Sequence, residues 1–338
     1  MVVMLTMVLS EAIRLHESGE AFCLAIVVAK SGSAPQVPGA KGLFLRDGRI
    51  IGTIGGGCLE MECRRLGLEA LTTGKHVLRE FKLDDDFGWD DGLICGGRVQ
   101  VLLLPDSTKF VHAFRRANEP NANGALEFDL LSGTARFVNR DEAQSEATLT
   151  SIARRREVFD GDLFVEPILP PERLVIFGGG HIGAQLAKHG VQLGFNVTVV
   201  DDRPEFVSRE RLPLVQNLVC ENPERYANQL QTDVDTYLCL VTRGHRNDAK
   251  VLRELIQKNR AYLGMIGSKR KREMVRKTMI ESGICTNEQF EQVASPMGID
   301  IGAETVEEIA VSIAAEWIKV RASKRGPILA RCRQKAKI

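Results

Sequence analysis

Gly178, Gly180 and Gly183 form a G-x-G-x-x-G run that follows the apolar stretch RLVIF (173–177) and opens the helical pattern IGAQLAKHGVQLG. A second apolar run, NVTVV (196–200), comes next and leads straight into Asp201. Strand, tight turn, helix, strand and then an acid about 20 residues on is the order required to hold a dinucleotide over the first helix of a doubly wound sheet. In that arrangement the helix N-terminus and the loop amides take a pyrophosphate, and Asp201 takes a ribose hydroxyl. Two further apolar runs, TYLCLVT (236–242) and AYLGMI (261–266), alternate with helical patterns, so the segment from Arg173 onward is expected to build a parallel sheet covered on both faces. The last long helix carries its own start signal, the capping box Thr305-x-x-Glu308, and an apolar stripe through Ile309, Ile313 and Trp317.

The rest of the chain has another texture. At 338 residues the protein exceeds the ~250–300 at which one hydrophobic core stops growing. We expect residues 1–105 to form an α+β domain with glycine-rich loops. Residues 106–172 are expected as a connecting hairpin and linker region, and 173–338 as a Rossmann-like domain. Hairpins are expected around RDG (46–48) and around Ser132-Gly133, and Pro170 and Pro171 suit an interdomain joint. With 45 basic and 44 acidic residues there is no electrostatic reason to expect nucleic acid or an anionic membrane as partner. No apolar stretch reaches the ~20 residues that span a bilayer, and the opening MVVMLTMVLS reads as a first helix, not a signal peptide. Eight dispersed cysteines without C-x-x-C pairs or finger spacing point to reduced thiols in a cytosol and argue against zinc.

One stretch in the first domain stands out. TIGGGCLE (53–60) places Gly55, Gly56 and Gly57 between a strand run and the helical pattern LEMECRRLGLEAL, so Cys58 falls at or near a helix N-terminus. Cysteines in such positions gain thiolate character, and the turn offers free amides to an anion. DGLICGG (91–97) frames Cys95 with glycines in the same way, and GSAPQVPGAKG (32–42) supplies a third loop at a strand end, so one shared pocket is expected. In the second domain His181 sits inside the glycine loop, and TRGHRND (242–248) puts Thr242, Arg243 and His245 at the carboxyl edge of the sheet, with Asp248 expected as a helix N-cap. GSKRKRE (267–273) crowds Lys269, Arg270 and Lys271 into a first helical turn, where the dipole disfavours cations unless an anion binds there.

GSAPQVPGAKG, GTIGGGCLE, DGLICGG, LVIFGGGHIG, VVDDRPEF, VTRGHRND, GMIGSKRK and SPMGIDIGAETVEEIAVSIAAE, in this order, resemble the XdhC/CoxI family from about residue 10 to 322. These are accessory proteins of xanthine dehydrogenase and related molybdenum hydroxylases. One departure is Gly179, where relatives commonly carry alanine. The resemblance implies a cytoplasmic chaperone that binds the molybdenum cofactor, a molybdopterin in some cases extended to a dinucleotide. It also implies that the protein works with a cysteine desulfurase to exchange an oxo for a sulfido ligand and delivers the product to an apo-hydroxylase. Residues matching the family motifs are Cys58 and Glu60, Cys95, and the glycine loop 178–183. Cys58, Cys95 and Glu60 are therefore the candidate chemical residues, with Cys58 near the metal. Gly55, Gly56, Gly57, Gly178, Gly180, His181, Gly183, Asp201, His245 and Lys269 are the candidate cofactor contacts. A homodimer is expected from base rates. The rival expectation is an NAD(P)-dependent oxidoreductase that uses His181 or His245 as its acid–base group.

Overall fold

The computed structural model describes residues 2–33, 36–83, 97–326 and 330–331. It divides into two compact units, Met1–Pro170 with Arg325–Ile338, and Pro171–Lys324.

In the first unit, the ten-residue apolar run FCLAIVVAKS becomes β1 (Phe22–Ser31), buried along nearly its whole length. It pairs antiparallel with β2 (Lys41–Leu45), which pairs in turn with β3 (Ile50–Gly52) around the RDG turn. On its other side β1 pairs with β5 (Arg98–Leu104), itself paired with β4 (Val77–Lys82), giving the order β3-β2-β1-β5-β4. Alternation along β1 feeds two cores. Phe22, Leu24, Ile26 and Val28 face α1 (Val2–Glu17), while Cys23, Ala25 and Val27 face Leu59, Cys63 and Ala70 of α2 (Gly57–Thr73).

Residues 106–170 form a second layer in this same unit. After α3 (Val111–Ala117), the hairpin of β6 (Gly124–Asp129) and β7 (Thr134–Asn139) turns at Ser132-Gly133 as its sequence predicts. Beyond α4 (Glu146–Arg154), β8 (Val158–Asp160) and β9 (Leu163–Ile168) extend it. A two-residue strand, Ala330–Arg331, pairs parallel with β8 at the far edge of this sheet. Phe110, Phe114, Phe128 and Phe164 join the core that β1 and α1 begin, ring against ring at centroid distances of 5.1–6.3 Å. The expectation for this stretch is a connecting hairpin and linker; with Phe137 and Phe159, six of its phenylalanines are buried in this core, so it packs as a layer.

The second unit is the doubly wound sheet. Its strands are β10 (Arg173–Phe177), β11 (Asn196–Asp201), β12 (Asn217–Cys220), β13 (Thr236–Leu240) and β14 (Tyr262–Met265). All pair in parallel, in the order β12-β11-β10-β13-β14, so the order reverses between β10 and β13. Four of these strands are legible in the sequence. The edge strand β12 is not, because NLVC is only half buried and lacks a long apolar run. The crossovers carry α5 (His181–Gln192), α6 (Pro223–Gln229), α7 (His245–Leu255), α8 (Lys269–Glu281), α9 (Asn287–Glu291) and α10 (Val306–Arg325). The expected capping box opens α10: the Glu308 carboxylate accepts the Thr305 N–H, and the Thr305 hydroxyl accepts the Glu308 N–H.

Candidate functional site

The glycine turn before α2 is built by backbone conformation. Gly55, Gly56 and Gly57 have φ of 129°, 70° and 58°, which side chains disfavour. Among the described residues a Cβ on Gly56 would meet nothing within 4 Å, so the glycine there serves conformation. Gly56 is the N-cap of α2, and among the described residues no side chain caps this helix. The turn is latched from within. Glu60 Oε2 accepts the Thr53 hydroxyl at 2.8 Å and the Ile54 N–H at 3.1 Å, and the Gly55 N–H donates to Thr53 Oγ1. The structure thus turns Glu60 back onto the loop and leaves Cys58, a free and partly exposed thiol, at the first turn of the helix. Burial pushes the Cys23 thiol up to about 12 and the Cys63 thiol well above the ordinary thiol range.

Strand register brings the glycine loops to one end of the first sheet. β1 finishes at Ser31 opposite Arg98, where β5 begins, and β3 finishes at Gly52 opposite Gly42, the second residue of β2. The loop 37–40 folds back on β1 through hydrogen bonds between Val27 and both Gly39 and Ala40. On the far side, a Cβ on Gly97 would lie 2.0 Å from the Ser33 carbonyl oxygen, so these two loops touch through backbone. Cys95 lies outside the described residues. Among the described residues no three His, Cys, Asp or Glu side chains gather as a metal site, so Cys58 offers a single soft ligand.

A second constellation occupies the carboxyl edge of the parallel sheet. Gly178 (φ 116°) and Gly183 pack backbone on backbone: a Cβ on Gly183 would sit 1.9 Å from the Gly178 carbonyl oxygen, so no other residue fits where α5 leaves the sheet. Gly180, the N-cap of α5, has open space where a Cβ would be. His181 is exposed on the first turn of α5 and lines a shallow cleft with Gln185, Arg211 and Glu307. Asp201 closes β11 and is buried. Its Oδ2 accepts the Gly179 N–H at 2.8 Å, and Arg203 wraps round both oxygens. Burial raises the Asp201 carboxyl, but the hydrogen bonds from Arg203 and Gly179 outweigh it and hold the group below its ordinary value.

Two expectations at this edge are corrected. Asp248 is no N-cap: Gly244 (φ 89°) caps α7, and Asp248 lies inside the first turn, fully buried. There its Oδ1 accepts the Thr242 N–H and hydroxyl at 3.0 and 2.6 Å, and its Oδ2 pairs with Lys271 Nζ at 2.7 Å. Lys271 is therefore committed to the protein's own carboxylate and to the Ile266 carbonyl, which relieves part of the charge crowding at the start of α8 without a bound anion. Ser268 caps α8 as expected, and Lys269 is exposed beside it. His245 opens α7, and its side chain lies outside the described residues. Sequence reasoning misses Thr53, Arg203, Phe206 and Arg211. Arg203 and Phe206 stand in the VVDDRPEF segment, where an arginine two residues after the strand-ending acid is the available signal.

With this geometry in place, the comparisons with known proteins converge. The chain belongs to the XdhC and CoxI family: residues 15–82 match that family, and residues 174–317 match the XdhC Rossmann domain. A protein of Bacillus subtilis (strain 168) described as a probable xanthine dehydrogenase subunit is 27% identical, over 91% of this chain and 95% of that one. The molybdenum cofactor insertion chaperone PaoD of Escherichia coli (strain K12) is 25% identical, over 93% of this chain and 88% of its own length. A crystal structure described as a xanthine dehydrogenase from Bacillus halodurans superposes with a TM-score of 0.71 at 23% identity, over 92% and 95% of the two chains, a likeness of fold.

Proposed function

We propose that this protein binds the molybdenum cofactor as cargo, supports its sulfuration and inserts it into a molybdenum hydroxylase of the xanthine dehydrogenase type. The observation that carries the reading is the turn at Gly55–Gly57. Three consecutive positive-φ glycines open a helix start that no described side chain caps, with the Cys58 thiol in its first turn. Molybdopterin is an anionic dithiolene, so it fits amides at a helix N-terminus at its phosphate end. Its metal already carries sulfur ligands, so a single soft side chain is enough for contact. In this reading Thr53 and Glu60 hold the turn in shape, and Cys58 meets the cargo or guards its sulfido ligand. Two relatives, one described as a cofactor insertion chaperone and the other as a probable subunit of xanthine dehydrogenase, support the assignment of cargo and client class. A cysteine desulfurase as sulfur donor, a cytoplasmic setting and a homodimer complete the proposal.

The test is molybdenum and pterin content of the protein purified from a molybdenum-replete host, followed by activation of an apo-hydroxylase. Cys58→Ser should fold normally, retain little cofactor and fail to activate, while Cys285→Ser should match the wild type. Full retention and activation by Cys58→Ser would remove the thiol from the mechanism.

A further inference from the structure

The acid that ends the second strand of a dinucleotide-binding sheet ordinarily receives the ribose hydroxyls. In this protein Asp201 has no acceptor capacity left for them. A carboxylate offers about four lone-pair sites. Here four donors fill them: the Gly179 N–H and Arg203 Nη2 on Oδ2, and the Arg203 N–H and Nε on Oδ1, all within 3.1 Å. The residue is 3% exposed, so a diol arriving from solvent meets neither a free oxygen nor an open face.

What a second cleft at this sheet edge, distinct from that of His181, presents instead is the guanidinium. Arg203 lines it together with Asn222, Thr242, Arg243, Asn247 and Lys250. Its side chain is 25% exposed, and among the described residues its Nη1 has no hydrogen-bond partner. The group is held rigidly, with Asp201 along one edge and the Phe206 ring 3.7 Å from its centre, and Arg211 sits 4.8 Å from that same ring. A planar guanidinium fixed in this way is preorganised for a phosphate. Of the acids in the cleft, Glu224 is taken by Arg253 at 2.8 Å and Lys250 at 3.8 Å. Asp202, half exposed and 4.0 Å from Arg203 Nε, is the acid of this cleft placed to favour a diol.

We propose that this cleft binds a nucleotide phosphorylated on its ribose, an adenosine 2′-phosphate of the NADP(H) kind, and discriminates against the unphosphorylated ribose of NAD(H). Calorimetric titration of the full chain with NADP⁺, NAD⁺, 2′,5′-ADP and 5′-AMP tests it. The 2′-phosphorylated member of each pair should bind roughly tenfold tighter or better. Millimolar inorganic phosphate should compete only weakly, which separates a nucleotide site from a bare anion site. Arg203→Leu should close the gap, Arg203→Lys should narrow it by losing the fork, and Asp202→Asn should leave it intact or widen it. NAD⁺ binding as tightly as NADP⁺, strong competition by inorganic phosphate alone, or no binding of any of the four nucleotides would each overturn the proposal. Should Arg203→Leu fail to fold, the wild-type ratios decide alone. Cofactor retention at the Cys58 turn is read by molybdenum content, so a failure here is distinguishable from a failure there.

Discussion

Lys41 is an unusual lysine, with its side chain 2% exposed and its Nζ 2.6 and 2.5 Å from the two oxygens of Glu166, itself 5% exposed. It also donates to the Gly39 carbonyl at the base of a glycine loop. Glu157 lies close by, its carboxylate reaching the same Gly39 position as that of Glu166, and burial together with Glu166 pushes its carboxyl above the ordinary range. Lys41 is thus paired with Glu166, and Glu157 lies beside that pair. Removing one partner of a buried pair strands the other charge, so Lys41→Met should cost about 3–5 kcal/mol in urea denaturation, and Lys41→Met with Glu166→Leu should recover much of it. Glu157 has a raised folded pKa, so its contribution is fully present below the unfolded carboxylate pKa and is lost as pH rises through the raised value. Glu157→Gln should therefore flatten the fall in stability across that window. Urea midpoints measured on both sides of it would show an unchanged slope if the group did not titrate there.

Two lysines on one helix turn show how an element sorts equivalent-looking residues. Lys269 and Lys271 both stand in the first turn of α8, where the helix dipole disfavours cations. Lys271 is spent on Asp248, which in turn pins the Thr242 N–H and hydroxyl, so the pair ties the loop after β13 to the loop after β14. Lys269 is exposed. Lys271→Ala should destabilise the protein by about 3 kcal/mol or more, because Asp248 is fully buried. Lys269→Glu should be neutral or stabilising by about 0.3–1 kcal/mol. Thermal or chemical denaturation of the two variants side by side settles it, and equal effects would contradict the division of roles.

For the whole molecule, the chain leaves its first unit at Pro170 and re-enters it at Arg325. The return is held by Arg156, whose guanidinium donates to the Gly326 carbonyl, and by the pairing of Ala330–Arg331 with β8. Unit one is therefore completed by residues that lie after the entire Rossmann sheet in sequence. Truncation after Lys324 should lower the melting transition of the first unit and leave that of the second in place, as read by differential scanning calorimetry. A single transition shifted as a whole would show that the two units unfold together.

Local sequence determined much of this protein. A glycine fingerprint, four apolar runs and a capping box sufficed for the parallel sheet, because strand length, turn conformation and helix starts are set by neighbours in the chain. The same holds for the turn at Gly55–Gly57, where three residues free to take positive φ fix a strand-to-helix corner that delivers Cys58. Partnership was not legible. That Glu60 folds back onto Thr53, that Asp248 is matched to Lys271 and Asp201 to Arg203, and that six phenylalanines turn residues 106–170 into a packed layer depend on which groups meet once apolar surface is buried. A buried charge must find a counter-charge, and several candidates stand within reach along the chain. Only the tertiary structure decides which one it finds, and so which charged side chains remain facing a ligand.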